Sequence, residues 1–322
     1  MIAESLHHVQ HTPQLAEANK PNLPSPTTHT RATSAGITVL PSDAALVSRA
    51  DYILSIVPPR DAVATANRIL DAFATADRTT STHPLYFLDL NAIAPSTALS
   101  IAASIAARTP SIRFVDGGII GGPPKPLPSP AAPPDDAPAA DIDAATASSL
   151  LSWYRPSIPV SGPHAVASAP LSGAHLAAVL RLKHLADAIG PASGLKASFA
   201  ALTKGFYALA IQSYSTAAQL GVLPELQAQL AAAFPATRAA ADRGLVHMPP
   251  KAYRWVGEMR EINRAFADAG GWAPEANVFD GVAEVYRVVA DETALGTAEG
   301  RREDVEGVVA GVVEGLRKER KN

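Results

Sequence analysis

Apolar residues in the first half of the chain fall into short, continuous runs of strand length. The clearest are 51–57 (Asp51-Tyr52-Ile53-Leu54-Ser55-Ile56-Val57), 85–90 (Leu85-Tyr86-Phe87-Leu88-Asp89-Leu90) and 112–116 (Ile112-Arg113-Phe114-Val115-Asp116). The first is stopped by Pro58-Pro59 and the third by Gly117-Gly118. A run without alternation, bounded by turn residues, predicts a strand covered on both faces of a parallel sheet. Residues 61–73 and 95–107 place apolar side chains at helical spacing, and a strand at 35–40 with a helix from Ser42-Asp43 to Arg49 precedes them. This alternation predicts an α/β domain built on an incomplete doubly wound, Rossmann-like parallel sheet. Residues 153–161, with Ile158 and Val160, add a strand; 176–185 add a helix, or a helix leading into a short strand, that ends at Gly190.

Beyond Gly190 the pattern becomes helical throughout. Residues 192–220 contain no proline, are rich in Ala and Leu, and stop at Gly221, a fitting C-terminal cap. Further helices are predicted at 223–234, 236–243, 250–267, 276–291 and 302–321. Three segments result: an irregular stretch 1–33, an α/β domain 34–190, and an all-helical domain 191–322. Within the α/β domain, 124–149 is almost entirely Pro, Ala, Asp and Ser, which cannot bury a face, and reads as a disordered insertion.

Composition narrows the function classes. A chain of 322 residues is long enough for two cores. A formal net charge of −3 carries no electrostatic footprint for nucleic acid. With no cysteine, disulfides, thiol catalysis and Cys-ligated zinc are excluded. No apolar run reaches the ~18 residues of a membrane span, and the first residues lack the apolar core of a signal peptide. The expectation is a soluble, cytoplasmic protein. The nine histidines show no metal-ligand spacing, so no metal is expected. His164, after Ser161-Gly162-Pro163, reads as a turn residue, and nothing resembles a nucleophile elbow.

Four segments, in order, resemble the β-hydroxyacid dehydrogenases, the group of the 3-hydroxyisobutyrate and 6-phosphogluconate dehydrogenases. Residues 51–59 resemble the strand and proline turn beside the cofactor. Asp89-Leu90-Asn91-Ala92-Ile93-Ala94-Pro95 resembles the next strand end, near the nicotinamide. Phe114-Val115-Asp116-Gly117-Gly118-Ile119-Ile120-Gly121-Gly122 resembles the substrate-binding turn. Gly190-Pro191-Ala192-Ser193-Gly194-Leu195-Lys196 resembles the start of the interdomain helix that carries the catalytic lysine. Ala201-Leu202-Thr203-Lys204-Gly205 is similar to the branch with a phosphogluconate-dehydrogenase-like C-terminal domain. The resemblance implies an NAD(P)-binding-type first domain and NAD or NADP as cofactor. It implies Val57, Pro58, Pro59 and Asn91 near that cofactor, and Asp116, Gly117, Gly118, Gly121 and Gly122 near the substrate.

Three departures accompany it. A dinucleotide fold needs a glycine-rich turn after its first strand, where the backbone meets the pyrophosphate. The first glycine here is Gly36, and His7-His8-Val9 does not replace that turn. Either the gene model has lost the strand, loop and helix that carry the turn, or the protein has dropped cofactor binding. On the long helix, Lys196, Ala200, Thr203 and Tyr207 align on one side, but the family's Asn and acid are absent at Ala200 and Thr203. Ile120 stands where relatives use Ser. 6-Phosphogluconate is therefore not the expected substrate.

Lys196 is the candidate general acid/base. An ammonium near a helix N-terminus at a domain cleft is tuned by desolvation and the helix dipole to exchange a proton with a substrate hydroxyl; the bland reading is a solvated helix lysine. Lys204, about 80° further round the helix, reads as a surface charge or partner contact. Asn91 is either a ligand contact or a turn residue bonding the backbone, and the glycines either admit a substrate or make a tight turn. Lys251 and Arg254 are a candidate anion-binding edge, against a helical core around Trp255 with exposed cations. A long helix apolar on nearly every side calls for burial on every side, which predicts a homodimer. Two functions stand: an NAD(P)-dependent oxidoreductase on a small hydroxy acid or carbonyl, or a catalytically silent dimeric binding scaffold.

Overall fold

The computed structural model describes residues 8–9, 26–79, 81–129, 143–297 and 300–319. They form two compact units, Met1–Lys196 and Ala197–Asn322.

The first unit is built on a six-stranded sheet. In chain order it comprises β1 (His8–Val9), α1 (Pro26–Ser34), α2 (Asp43–Arg49), β2 (Tyr52–Ser55), α3 (Pro59–Thr75), β3 (Tyr86–Asp89), α4 (Pro95–Arg108) and β4 (Arg113–Gly117). Then come β5 (Lys125–Pro126), α5 (Ala144–Leu151), β6 (Trp153–Tyr154), β7 (Ile158–Ser161), α6 (Gly173–Leu180), β8 (Leu182–His184) and the long α7 (Pro191–Gln219). The sheet order is β1-β2-β3-β4-β7-β8, with only β4 and β7 antiparallel. The described strands follow one another in chain order, so the winding runs in a single direction: one half of a doubly wound sheet.

Both faces of the sheet are covered, which is why its strands read as unbroken apolar runs. Ile53, Phe87 and Phe114 pack with Leu46 and Val47 of α2, Ile69 and Leu70 of α3, and Ile101 and Ile105 of α4. The alternate residues Tyr52, Leu54, Tyr86, Leu88 and Val115 pack on the opposite face with Val166 and Leu176. Prolines open α3 and α4 at Pro59 and Pro95, where the missing N–H has no intrahelical partner to lose.

Several expectations need correction. The stretch 1–33 is not irregular throughout: His8–Val9 pairs in parallel with β2, and α1 begins at Pro26. Residues 35–40 form no strand, because the place beside β2 is taken by β1. The expected disordered insertion at 124–149 contains β5, which pairs antiparallel with β6, and most of α5, capped by the Asp143 carboxylate at Thr146 N; its residues 130–142 lie outside those described. The strand expected at 153–161 is two, divided before Ile158, since β6 pairs with β5 and β7 with β4. The alternative of a helix leading into a short strand holds at α6 and β8.

The second unit takes α7 from Ala197 onward and adds α8 (Leu223–Ala233), α9 (Pro235–His247), α10 (Ala252–Asp268), α11 (Phe279–Asp291) and α12 (Val305–Glu319). Gly221, at φ +74°, ends α7 as expected. Its core centres on aromatic rings. Tyr207 stacks on Trp255 at 6.3 Å, Trp255 meets Tyr286 edge-on at 5.2 Å, and Phe266 meets Phe279 at 4.9 Å. Among the described residues no helix is long and apolar enough to cross a membrane.

Candidate functional site

The strand register builds a polar row across the carboxyl edge of the sheet. Ser55 of β2 lies opposite Asp89 of β3, Asp89 opposite Asp116 of β4, and Asp116 opposite Ser161 of β7. All four are completely buried. Each lies two residues from, or in register with, a residue of the α2–α4 face, so the row points to that face. Ligands of open α/β sheets bind outside this edge.

Asn91 closes one end of the row. Its Oδ1 accepts from Val57 N at 2.6 Å, and its Nδ2 donates to Ser55 Oγ and to Asp89 Oδ2, both at 3.0 Å. Its own N–H donates to Asp89 Oδ1 at 3.0 Å. The amide thus ties the end of β2 to the end of β3 and holds the turn leading to Pro58 and Pro59. Burial, foremost, pushes the Asp89 carboxyl up to about 7; the two Asn91 bonds oppose this and the Asp116 charge adds to it.

Asp116 is expected near the substrate from the resemblance. It is wholly buried, and its carboxylate is engaged inside the unit. Oδ2 accepts from Ser161 Oγ and Gly190 N at 3.0 Å and from Ser193 N at 3.1 Å, and Oδ1 accepts from Ser193 Oγ. Burial raises its pKa while these bonds lower it, with burial the largest effect.

Lys196 and the glycine turn meet at the end of β4. A Cβ on Gly118 would lie 2.8 Å from Lys196 Cβ, so the lysine stem runs over a bare glycine backbone, and Nζ donates to Ile119 O. Gly117 serves packing, since a Cβ there would lie 2.6 Å from Leu90 Cδ2. Gly121 takes φ +126° beside Tyr154, whose hydroxyl accepts from Gly122 N at 3.3 Å. Ile120 pairs with Ser157 as an isolated bridge, anchoring the turn to the start of β7. Gly121 and Gly122 are exposed. The half-buried ammonium of Lys196 therefore sits at a strand end beside backbone that a small ligand can approach.

The other expected residues fall elsewhere. Lys251 and Arg254 belong to the second unit, exposed around buried Trp255. Lys204 is not a surface charge. Its ammonium pairs with Glu258, the two side chains are 16% and 11% exposed, and it lies 4.9 Å from the centre of the Trp255 ring. The Trp255 ring beside that ammonium is itself stacked on Tyr207 and met edge-on by Tyr286. His164 lies in its turn with a lowered pKa, from burial and then the Arg113 charge. Among the described residues no group of three His, Asp or Glu is placed to hold a metal.

Sequence reading missed Ser55, Asp89, Ser161 and Ser193. An acid closing each of two apolar strand runs, at Asp89 and Asp116, was the available signal.

Solved structures decide the fold. A conserved hypothetical protein from Sinorhizobium meliloti 1021 is 22% identical, with 90% of this chain and 83% of that one aligned at a TM-score of 0.54. The Mycobacterium tuberculosis 3-hydroxyisobutyrate dehydrogenase, solved with L-serine, is 17% identical, with 91% and 89% aligned at 0.51. The fold is that of a 3-hydroxyisobutyrate dehydrogenase. MTH1747, a conserved protein of unknown function described as similar to 3-hydroxyacid dehydrogenases, shares this dehydrogenase fold at 20% identity, with 85% and 88% aligned at 0.50. Residues 217–289 match DUF1932, a domain of unknown function. None of the curated proteins matches the chain. The dehydrogenase fold expected from the four motifs is thus the one found, with the mostly parallel sheet first and the helical part after it.

Proposed function

We propose that the chain is an oxidoreductase of the β-hydroxyacid dehydrogenase type, in which Lys196 exchanges a proton with the hydroxyl of a small hydroxy acid or the corresponding carbonyl. The observation that carries this is the lysine stem lying on Gly118 with its ammonium at Ile119 O, at the carboxyl edge of a dehydrogenase-fold sheet. An ammonium held there is near the exposed Gly121–Gly122 backbone, where a substrate can accept or donate the proton. The exposed Lys251 and Arg254 are the candidate anion contacts of the second unit.

The cofactor implied by the resemblance, NAD or NADP, fits only in part. Val57, Pro58, Pro59 and Asn91 form a strand-end turn of the kind that borders a nicotinamide, but the Asn91 amide is engaged by Val57, Ser55 and Asp89. For the diphosphate the sequence after β1 offers no glycine turn. Gln10-His11-Thr12-Pro13 follows β1 where a glycine turn would be needed. Charge-assisted hydrogen bonds contribute roughly 1.5–3 kcal/mol each, so losing several weakens dinucleotide binding by orders of magnitude. That misfit favours a second reading, a silent dimeric scaffold.

Nicotinamide fluorescence with this chain, and turnover of a hydroxy-acid panel by a form given a glycine-rich turn after β1, separate the two. The expected result is no saturable NADH or NADPH binding at micromolar concentration by the first and turnover by the second. A glycine-turn form that binds cofactor yet turns over no hydroxy acid would leave the scaffold.

A further inference from the structure

We propose that Asp116 is the positioning residue for Lys196: its buried carboxylate clamps the first turn of α7 to the ends of β4 and β7 and thereby sets where the lysine lies. The chemical role of Lys196 rests on the reading above; the clamp does not.

A helix leaves its first N–H groups without intrahelical partners, and a polar side chain just before it normally accepts them. α7 cannot supply that acceptor. The residue before it is Gly190, at φ +116°, and the helix opens on Pro191, which has no N–H. The acceptors come from the sheet. Gly190 N and Ser193 N donate to Asp116 Oδ2, and Ala192 N donates to Ser161 Oγ at 3.1 Å. Ser161 passes its own hydroxyl hydrogen to Asp116, and Ser193 Oγ donates to the other carboxylate oxygen. A negative charge at a helix N-terminus adds a favourable dipole interaction.

The same strand end performs both tasks. Asp116 holds the start of α7, while Gly118 and Ile119, two and three residues on, receive the stem and the ammonium of Lys196. Lys196 lies five residues beyond Pro191, about 7.5 Å along the axis at 1.5 Å per residue. With one end of this short lever fixed to Asp116, the Lys196 stem is held on Gly118; with that end free, the helix can tilt and the stem lifts. Asp116 itself is wholly buried. It acts through another residue.

The test is competitive acetylation of the full-length chain, read by mass spectrometry as the rate of Lys196 relative to exposed Lys251 in the same molecule. It needs neither cofactor nor turnover, so its failure is distinguishable from failure of the catalytic reading. In the unmodified chain Lys196 should react more slowly than Lys251 by about tenfold, the size of one lost charge-assisted hydrogen bond. Asp116→Asn, and separately Ser161→Ala, should bring the ratio toward one. A purely structural role would lower the melting temperature and leave the ratio of the folded protein unmoved, which would overturn the proposal. Equal rates in the unmodified chain would overturn it without any variant, so a poorly folding Asp116→Asn does not shield it.

Discussion

Asp89 and Asp116 stand opposite each other on adjacent parallel strands, both completely buried, at the place where the sheet meets the start of α7. Neighbouring strands lie about 4.8 Å apart, so two ionised carboxylates there repel through a poorly solvated medium. The two differ in what they accept. Asp116 takes four hydrogen bonds from Ser161, Gly190 and Ser193, whereas Asp89 takes two, both from Asn91. Asp116 is thus better equipped to carry the charge and Asp89 to hold the proton.

A pH dependence of stability follows, with a defined sign. The Asp89 carboxyl is raised from 3.8 to about 7, so the folded state binds more protons than the unfolded state between those values. This contribution to stability is full below the unfolded value and is lost as pH rises through about 7. Asp116, also raised, acts in the same direction. Urea unfolding at about pH 5 and about pH 8 should show lower stability at the higher pH, and Asp89→Asn should flatten the difference. A steeper slope in the variant would reassign the proton.

The two lysines of α7 should separate by the kind of damage their removal does. In a form given a glycine turn, Lys196→Ala should lower turnover by about 10²–10⁴-fold, as for a general acid–base group. Lys204→Ala strands the Glu258 carboxylate beside Trp255, and should cost about 3 kcal/mol of stability, seen as a drop in the urea midpoint. Equal losses of turnover at matched stability would place the chemistry on the wrong lysine.

Gly244 offers a packing test within the helical unit. A Cβ there would lie 2.3 Å from a Tyr207 ring carbon, and Tyr207 is stacked on Trp255. Gly244→Ala should therefore destabilise by about 1–3 kcal/mol despite its better helix propensity. A raised melting temperature would mean that the ring stack moves aside freely.

Assembly can be tested on α7, where Phe199, Leu202 and Leu209 are 44%, 80% and 59% exposed along one helix. The homodimer expected from the sequence would cover such a stripe with a second copy across a two-fold axis, in an interface above about 2,000 Å². Light scattering at low micromolar concentration should give about twice 33.4 kDa. Leu202→Glu combined with Leu209→Glu should give the monomer with unchanged helicity; a monomeric parent chain would sink the dimer.

The strands at 52–55, 86–89 and 113–117 were legible because a strand covered on both faces writes its burial as a local run of apolar residues, and α7 because its length and its glycine stop are local too. Residues 35–40 were misread for the opposite reason: they have strand composition, but a strand exists only where a neighbour offers its backbone, and β1 holds that place. Lys196 could be picked out by spacing and motif. Its setting could not, because Gly118 and Ile119 lie almost eighty residues earlier. The row of Ser55, Asp89, Asp116 and Ser161 exists only through register between strands, and one residue of slip would turn every member to the other face. Lys204 and Glu258, 54 positions apart, look like two surface charges until the folding of α10 onto α7 brings them together. Periodicity records which side of an element is covered; which groups meet there is settled by packing between elements, and neither the clamp on α7 nor the buried ion pair has a local signature.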